Sequence, residues 1–311
     1  VDKKSTVKND PDYFPGPKIW DTNTNPATSG HSQPPVLASI IWRFVQAGTE
    51  YDNRKAIEVF PKLMAYHRWF VNARDPGNLG IVGIVHPWES GRDNCPDWDI
   101  GMQNIVIPNN LERYTRRDIY HVNSNQRPTQ EQYDRFITIV NFGRKCNWDS
   151  QTIYSKGPFL MADPGVQFIF LRASRDLLAM AKYLEMDLAV DEITGWVEKV
   201  EVGSDFLWND LVGGYCARDL RTGLFSNAIT NASMLSFFAD VGSLEQRKSM
   251  EAHCRRILST SAFGMPSWDP NHQAFESQRY WRGPVWAIMN HMVISGLEDA
   301  GFFDLAARVR N

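Results

Sequence analysis

Apolar residues recur at intervals of three and four through most of this chain, which is the spacing of amphipathic helices. The pattern starts after Pro34 and Pro35 and predicts a first helix from residue 36. Further helices are predicted over residues 53–73, 129–145, 164–185, 189–211, 230–240, 244–259, 283–300 and from 303. Alternating strand patterns are scarce, so the predicted fold class is all-α.

Two long stretches lack this periodicity. Residues 1–34 are rich in Pro, Gly, Asn and Asp, and residues 74–127 form an irregular segment of about fifty residues. So long a segment inside a compact domain is usually functional. Helix pairs separated by loops predict an α/α toroid or a helical solenoid, and the lack of a fixed repeat of about 20 to 50 residues disfavours the solenoid. We expect one domain over residues 1–311.

Composition narrows the class of protein. Hydrophobic residues make up 43% of the chain and charged residues 22%, which is the balance of a soluble globular domain. A net charge of −3 and scattered basic residues argue against a nucleic-acid partner. Apolar runs such as Phe168–Leu171 are far shorter than the ~20 residues of a membrane span, so we expect no membrane partner.

The four cysteines lie far apart and form no C-x-x-C pair, so neither a zinc site nor a disulfide framework is predicted. We expect four separate thiols in a reducing cytoplasm. The cysteines are Cys95, Cys146, Cys216 and Cys254.

Aromatic residues are abundant: 11 Trp, 10 Tyr and 17 Phe, many beside Gly, Pro and Asp in predicted loops. Aromatic rings next to polar groups can wall a site for a flat, half-apolar ligand such as a sugar ring. Rigid packing of long loops is the alternative interpretation.

Residues 86–99, HPWESGRDNCPDWD, carry four carboxylates within eleven residues, interleaved with two Trp. The spacing of Glu89, Asp93 and Asp97 would align them on a helix, but the intervening Pro and Gly residues predict a folded loop in which they point in different directions. A carboxyl group held against Trp in a water-poor pocket has a raised pKa and can donate a proton near neutral pH, as glycosidic cleavage requires. A solvated acidic loop, with or without a bound cation, is the alternative.

Residues 125–134 place Arg127 just before a predicted helix and Tyr133 within it. Thr129 is the predicted N-cap, with Gln132 at the distance of a capping box. An Arg fork beside a Tyr hydroxyl suits a substrate carboxylate. The alternative is an Arg paired with a neighbouring carboxylate at the start of the helix.

Two further segments are candidates for binding. In RYWRGPVW, residues 279–286, Pro284 is predicted in the first helical turn, so that the preceding aromatics lie at one mouth of the fold or pack inward as a cap. In SGHSQPP, residues 29–35, Gln33 can bind sugar hydroxyls or simply hold the loop.

Several enzyme classes have no support. The chain contains no G-x-S-x-G, P-loop, dinucleotide-binding fingerprint or H-E-x-x-H motif. His67, His253 and His291 lie singly on predicted helices and are interpreted as surface or core residues rather than metal ligands. We therefore expect neither a metal site nor a cofactor.

Four segments, HPWESGRDN-x-P-x-W, SG-x-SQPP, RPT-x-x-x-YDR and RYWRGPVW, together resemble glycoside hydrolase family 63, most closely its mannosylglycerate and glucosylglycerate hydrolases. The resemblance runs over essentially the whole chain. It implies an (α/α)6 toroid of six helical hairpins and an inverting mechanism without a cofactor. By motif, Asp93 matches the general acid, Arg127 and Tyr133 match the pair that recognises the glycerate carboxylate, and Gln33 falls in a segment lining the sugar pocket. The family's sugar-site aromatics match Trp88, Tyr280, Trp281 and Trp286.

The chain departs from the family in two respects. Arg92 stands where these hydrolases tend to carry an uncharged residue, and a cation beside Asp93 would oppose the raised pKa unless Arg92 points away. The family's general base is a Glu downstream of Asn311, and nine predicted helices fall short of the toroid's twelve. Since the chain also starts at Val1 and stops within a helical pattern, we expect a fragment that binds poorly and turns over little, whereas the complete protein is active.

The function expected is hydrolysis of 2-O-α-glucosyl- or mannosyl-glycerate to the sugar and glycerate, so the expected partner is a small glycoside with a carboxylate aglycone. A broader α-glucosidase or trehalase-like hydrolase is the first alternative, and a non-catalytic sugar-binding protein is the second. A sugar epimerase on a similar toroid would need paired His residues in its pocket. It ranks lowest, because only His31 and His86 lie near candidate loops. The sequence does not predict the oligomeric state.

Overall fold

The computed structural model describes residues 16–48 and 50–311. Those residues are mainly helical, in agreement with the predicted all-α class. Their α-helices are Pro17–Trp20 (α1), Leu37–Ala47 (α2), Glu50–Arg74 (α3), Asp99–Met102 (α4), Gln130–Lys145 (α5), Ser150–Lys156 (α6), Pro164–Tyr183 (α7), Asp187–Ser204 (α8), Leu235–Phe238 (α9), Leu244–Thr260 (α10), Ala287–Asp299 (α11) and Phe303–Arg310 (α12).

Consecutive helices pack against each other as pairs. The short connections before α3, α8 and α12 bring α2 onto α3, α7 onto α8, and α11 onto α12. Helix α7 also contacts α2 and α9, so it joins two of these groups. The predicted architecture of packed helix pairs is confirmed by these contacts.

Helix α7 forms the centre of the core. Asp163 caps its start by accepting the N–H groups of Gly165 and Val166, and Pro164 occupies the first turn, where its missing N–H costs nothing. Every residue from 164 to 171 is buried. The first half of α7 is therefore buried on all sides, and the neighbouring helices pack around it.

Short strands connect this frame to the loops. Gly83–Ile84 (β1), Met161–Ala162 (β2) and Arg218–Asp219 (β5) form an antiparallel sheet in the order β1-β2-β5, while Trp208–Asn209 (β3) pairs with Gly214–Tyr215 (β4). Strand β1 leads directly into residues 86–99. The sheet therefore fixes the start of the acidic segment against the residues that precede α7.

Residues 74–127 are irregular as predicted, apart from β1, the four-residue α4 and 3-10 turns at Pro87–Ser90, Pro96–Trp98 and Ser124–Gln126. Their first half is not a surface loop. Residues 80–102 are largely buried, and Trp98 belongs to the main hydrophobic core. A buried irregular segment must satisfy its polar groups locally, which the 3-10 turns and side-chain hydrogen bonds do here.

Three predicted helix boundaries were wrong. The helix predicted over 230–240 is reduced to α9, because Thr230 forms a β-bridge with Trp268 and a run of turns follows it. The helix predicted over 189–211 ends at Ser204, before β3. The helix predicted from 283 begins at Ala287, because Pro284 O accepts the Ser267 N–H and Val285 bridges Pro266.

The predicted irregular segment 1–34 contains α1, which the sequence analysis missed, and its first fifteen residues lie outside the described residues. Helix α6 was also missed, because seven residues with the single buried side chain of Ile153 are too few to show a period. None of the helices in residues 16–48 and 50–311 is long and apolar enough to cross a membrane.

Candidate active site

A cavity of about 1090 Å³ opens between the loops. Its walls come from five parts of the chain: residues 20–33, 88–93, 115–121, 127–133 and Tyr280. Each of the four segments that the sequence analysis singled out contributes to it. Such convergence of distant loops on one concavity is typical of a ligand site.

The acidic segment folds as two 3-10 turns separated by a reversal at Gly91, whose φ of +71° is accessible to glycine without strain. His86 starts the first turn by accepting the Trp88 N–H on Nδ1. Its Nε2–H therefore donates to the Phe136 carbonyl at 3.1 Å, which fixes the neutral tautomer. The prediction that the carboxylates of a folded loop point in different directions is confirmed.

Glu89 faces the core. It pairs with Arg74, with 2.5 Å between Arg74 Nη2 and Glu89 Oε1. It also accepts the N–H groups of Val85 and Ser32, so it ties the acidic segment to residues 29–35. With 1% of its surface exposed, Glu89 is a structural anchor and not part of a solvated acidic loop. That alternative was wrong for Asp97 as well, which is equally buried.

Arg92 points away from Asp93. Its Nη2 lies 2.7 Å from Asp163 Oδ1 and 3.1 Å from Asp97 Oδ2, and its side chain is buried beside the Trp98 ring. The two carboxylates neutralise its charge inside the core. Arg92, the neighbour of Asp93 in the sequence, therefore holds the loop against the start of α7.

Asp93 lies at the cavity wall, with part of its surface open to the cavity and the rest enclosed by protein. The Tyr280 hydroxyl donates to its Oδ2 at 3.3 Å. Burial raises the pKa of Asp93 to about 6, although the nearby Arg127 cation and the Tyr280 hydrogen bond act in the opposite direction. A carboxyl group tuned in this way can carry a proton close to neutral pH and deliver it to a bound molecule.

Arg127 faces the same cavity. Its Nε lies 3.2 Å from Asp118 Oδ2, and its guanidinium covers the Tyr280 ring at 3.9 Å from the ring centre. Asp118 also binds Arg116, with 2.7 Å between Arg116 Nη2 and Asp118 Oδ2. Both interpretations of Arg127 therefore apply, because it pairs with a neighbouring carboxylate and lines the cavity.

The predicted capping box at the start of α5 is confirmed. The Thr129 hydroxyl accepts the Gln132 N–H, and the Gln132 side chain accepts the Thr129 N–H. This cap fixes the direction of α5 relative to Arg127, so that Tyr133 in its first turns lies in the cavity wall. The Tyr133 ring packs 5.9 Å from Trp88, centre to centre, and under the guanidinium of Arg116.

Gln33 and Trp88 form the neighbouring part of the wall. The side-chain amide of Gln33 donates to the backbone carbonyl of Trp88 at 2.9 Å, and the Tyr66 hydroxyl donates to the backbone carbonyl of Gln33 at 2.9 Å. Gln33 therefore holds its loop, as one interpretation expected, and it also lines the cavity, as the other required.

Tyr280, Trp281 and Trp286 have different positions. Tyr280 lines the cavity with a positive φ of 38°, whereas Trp281 is buried and stacks on Trp286 with 4.2 Å between ring centres. Trp286 Nε1–H donates to the Tyr280 carbonyl at 3.0 Å, and the Trp281 N–H donates to Asn94. In the described chain the two indoles support Tyr280 from behind and are not among the side chains that line the cavity.

Sequence analysis missed residues 115–121, which form one side of the cavity through Thr115, Arg117, Asp118, Tyr120 and His121. The signal was the Arg-Arg-Asp run at 116–118, ten residues before Arg127 inside a long irregular segment. His31, which the sequence analysis considered only for the epimerase alternative, packs between Trp20 and His86 at the inner wall. Burial holds the pKa of His31 well below its usual value, so the ring is neutral.

Among residues 16–48 and 50–311, no three His, Cys, Asp or Glu side chains are placed to hold a metal ion. The cavity contains a carboxyl group with a raised pKa, a cation held beside it, and a wall of aromatic and amide side chains.

Comparison with known proteins gives consistent matches. The family model for mannosylglycerate hydrolase MGH1-like glycoside hydrolase domains matches residues 3–311. A mannosylglycerate hydrolase of Thermus thermophilus is 41% identical over 303 residues, which cover 96% of this chain and 72% of that protein. The mannosylglycerate hydrolase MGH1 of Selaginella moellendorffii is 39% identical over 96% of this chain, and this chain spans 61% of that protein.

A solved structure matches equally well. A GH63 mannosylglycerate hydrolase of Thermus thermophilus, crystallised in complex with Tris and D-glycerate, superposes with a TM-score of 0.90 and 40% identity. The match covers 96% of this chain and 71% of that one.

Proposed function

Because this chain belongs to the mannosylglycerate hydrolase MGH1-like family of glycoside hydrolases, we propose that it hydrolyses a 2-O-α-glycosyl-glycerate, glucosyl or mannosyl, with inversion at the anomeric carbon. Its fold is that of the GH63 (α/α)6 toroid enzymes. One observation carries the proposal: a carboxyl group with a raised pKa and a guanidinium meet the same tyrosine ring in one cavity.

Asp93 is the general acid of this proposal. Its proton passes to the oxygen that bridges sugar and glycerate as the bond from that oxygen to the anomeric carbon breaks. Glycerate leaves with a restored hydroxyl, and water adds to the opposite face of the sugar. The proton that water loses goes to a general base, and Asp93 regains its own from solvent through the cavity.

Arg127 and Tyr133 bind the carboxylate of the aglycone. The Asp118 bridge uses Nε of Arg127, and a guanidinium has five N–H donors in total, so donors remain for a second carboxylate. A neutral aglycone, as in trehalose, leaves this cation without its intended acceptor. The site therefore favours an anionic aglycone over the broader α-glucosidase alternative.

Gln33, Trp88 and Tyr280 shape the sugar pocket, and Trp281 and Trp286 act through Tyr280. Rings supply flat apolar walls, and the Gln33 side chain supplies polar contacts for hydroxyls. Mannose and glucose differ in the orientation of one hydroxyl, a difference of one or two hydrogen bonds. The proposal therefore covers both sugars.

The general base stays a prediction: a Glu beyond Asn311. An inverting enzyme needs its second carboxylate roughly 6.5–9.5 Å from the first, to leave room for water. Within the described chain, Asp118 is the other carboxylate lining this cavity. Burial raises its pKa, but the bonds to Arg116 and Arg127 outweigh burial and keep the pKa below the usual value, which makes Asp118 a weak base.

We also propose that the reaction takes place in the cytoplasm. The four cysteines are free thiols, three of them buried, and free thiols persist in a reducing compartment.

The test is hydrolysis of glucosylglycerate, mannosylglycerate and trehalose by the full-length protein and its Asp93→Asn variant. We expect turnover of a glycosyl-glycerate and a loss of about 10²–10⁴-fold in the variant, the range for a general acid. Undiminished turnover by the variant would remove Asp93 from the mechanism, and a preference for trehalose would remove the glycerate assignment. Robust hydrolysis by residues 1–311 alone would contradict the prediction for the base.

A further inference from the structure

The recognition group and the general acid are physically linked in the cavity wall. Arg127 lies over one face of the Tyr280 ring, at 3.9 Å from its centre, and the hydroxyl of the same ring donates to Asp93. On its other side Arg127 is held by Asp118. The order of contacts is therefore Asp118, Arg127, Tyr280, Asp93, and all four line the cavity.

Opposing charges act on Asp93 through this arrangement. Burial raises its pKa, the Arg127 cation lowers it, and the Asp118 anion raises it. The charge that opposes protonation of the acid is thus the charge assigned to bind the substrate. An anion placed on Arg127 must shift this balance toward the protonated acid, because it offsets the cation at short range.

We propose that the substrate's carboxylate, by pairing with Arg127, makes Asp93 retain its proton, so that the aglycone's charge prepares the acid as well as binding the substrate. The inference rests on the proposed function. Asp118 acts as a positioning residue: it fixes Nε of Arg127 and so presents the remaining donors to the cavity. A glycoside with a neutral aglycone binds without this effect and finds a less protonated acid.

Other charged groups also face this cavity. Arg116 is already engaged by Asp118, and Arg117 and His121 enter the cavity from the same segment. From the opposite wall, His31 is buried and neutral. Arg127 is the cation whose charge lowers the pKa of Asp93, so its neutralisation bears directly on that group.

The effect on catalysis is a larger protonated fraction. With a pKa of about 6, roughly one Asp93 in ten holds its proton at pH 7. An opposite charge at short range shifts the pKa of a carboxyl group by about one unit or more. A substrate carboxylate that offsets Arg127 by one unit therefore increases the protonated fraction of Asp93 at pH 7 about fivefold. The basic limb of the kcat profile is expected about one pH unit above that of kcat/KM for a glycosyl-glycerate, whereas the two limbs coincide for the matching glycosyl-glycerol.

Proton uptake tests the coupling without turnover. D-glycerate is titrated into the full-length protein at pH 6.5 by calorimetry, in phosphate and imidazole buffers, whose ionisation heats differ. We expect uptake of about half a proton for each glycerate bound, from linkage between binding and the Asp93 proton. Glycerol, which lacks the carboxylate, should cause no uptake.

Two variants assign the proton. Asp93→Asn should bind glycerate with no proton uptake, and His121→Gln should take up as much as the unaltered protein. Equal uptake by Asp93→Asn, or loss of uptake in His121→Gln, would overturn the coupling while leaving glycerate recognition intact. Binding by the unaltered protein without uptake would do the same. Absence of glycerate binding would overturn the proposed function together with this inference.

Discussion

Replacing Asp93 by Asn should stabilise the protein at pH 8 although it removes the proposed general acid. The ionised Asp93 carboxyl is disfavoured in the folded protein, since its pKa rises from 3.8 to about 6 through burial. Asn has nearly the same shape, keeps an oxygen that can accept the Tyr280 hydroxyl, and carries no charge. The variant therefore removes an unfavourable charge without opening a cavity.

The magnitude follows from the pKa difference. The interval from 3.8 to about 6, at 1.36 kcal/mol for each unit, gives about 3 kcal/mol. Because the carboxyl keeps access to the cavity, solvent screening reduces the expected gain to about 2 kcal/mol. Between these two pKa values the folded protein holds a proton that the unfolded chain releases, so stability falls as pH rises through this window. The gain from Asp93→Asn should be absent at pH 3.5 and complete above pH 7.

Urea unfolding at pH 4, 5, 6.5 and 8 measures this dependence. The difference in the free energy of unfolding between the variant and the unaltered protein is taken with the same m value for both. The control is Asp187→Asn, an exposed carboxylate in the first turn of α8, which should lose at most a few tenths of a kcal/mol at pH 8. A gain that is the same at pH 4 and pH 8, or no gain at pH 8, would show that Asp93 is not a carboxyl with a raised pKa.

Three further changes test other parts of the site. The kcat/KM of the unaltered protein should fall tenfold for each pH unit above about 6, which is the basic limb of its pH profile. Tyr280→Phe should move this basic limb to higher pH, because it removes a hydrogen-bond donor that favours the ionised form of Asp93. A basic limb that does not move in a pH–rate series would contradict this role of Tyr280. Asp118→Asn should raise KM for a glycosyl-glycerate but not for a glycosyl-glycerol, since Arg127 loses its anchor, and it should move the basic limb to lower pH for both substrates, since Asp93 loses a nearby anion. An equal rise in KM for the two substrates would argue against the role of Asp118. Glu89→Gln should cost about 3–5 kcal/mol in urea unfolding, because it leaves Arg74 as a buried cation without its charged partner; a loss below about 1 kcal/mol would refute that reasoning.

Local chemistry was predictable where a few neighbouring residues decide the conformation. Pro87, Gly91 and Pro96 exclude a helix, which was enough to infer that the carboxylates diverge. The capping box at Thr129 and Gln132 depends on a three-residue spacing and was predicted in full. The helix pairs followed from periodicity over long, strongly patterned segments.

Features that depend on distant partners were not predictable. The start of α11 is delayed because residues 284 and 285 pair with residues 266 and 267, and no local signal reveals that contact. Trp281 and Trp286 look alike beside Tyr280 in the sequence, but stacking turns them inward. The Arg116–Asp118 pair became part of the site only because the chain folds back beside Arg127.

The buried Arg92–Asp163 ion pair has a consequence for how this enzyme can be redesigned. It joins the segment carrying Asp93 to the cap of α7, so a change in the surroundings of Asp93 disturbs the central helix as well. Residues 117–121, by contrast, are partly or fully exposed, so substitutions there disturb the core less. New aglycones are therefore best selected from libraries that vary Arg117, Ile119, Tyr120 and His121 and leave Asp118 in place.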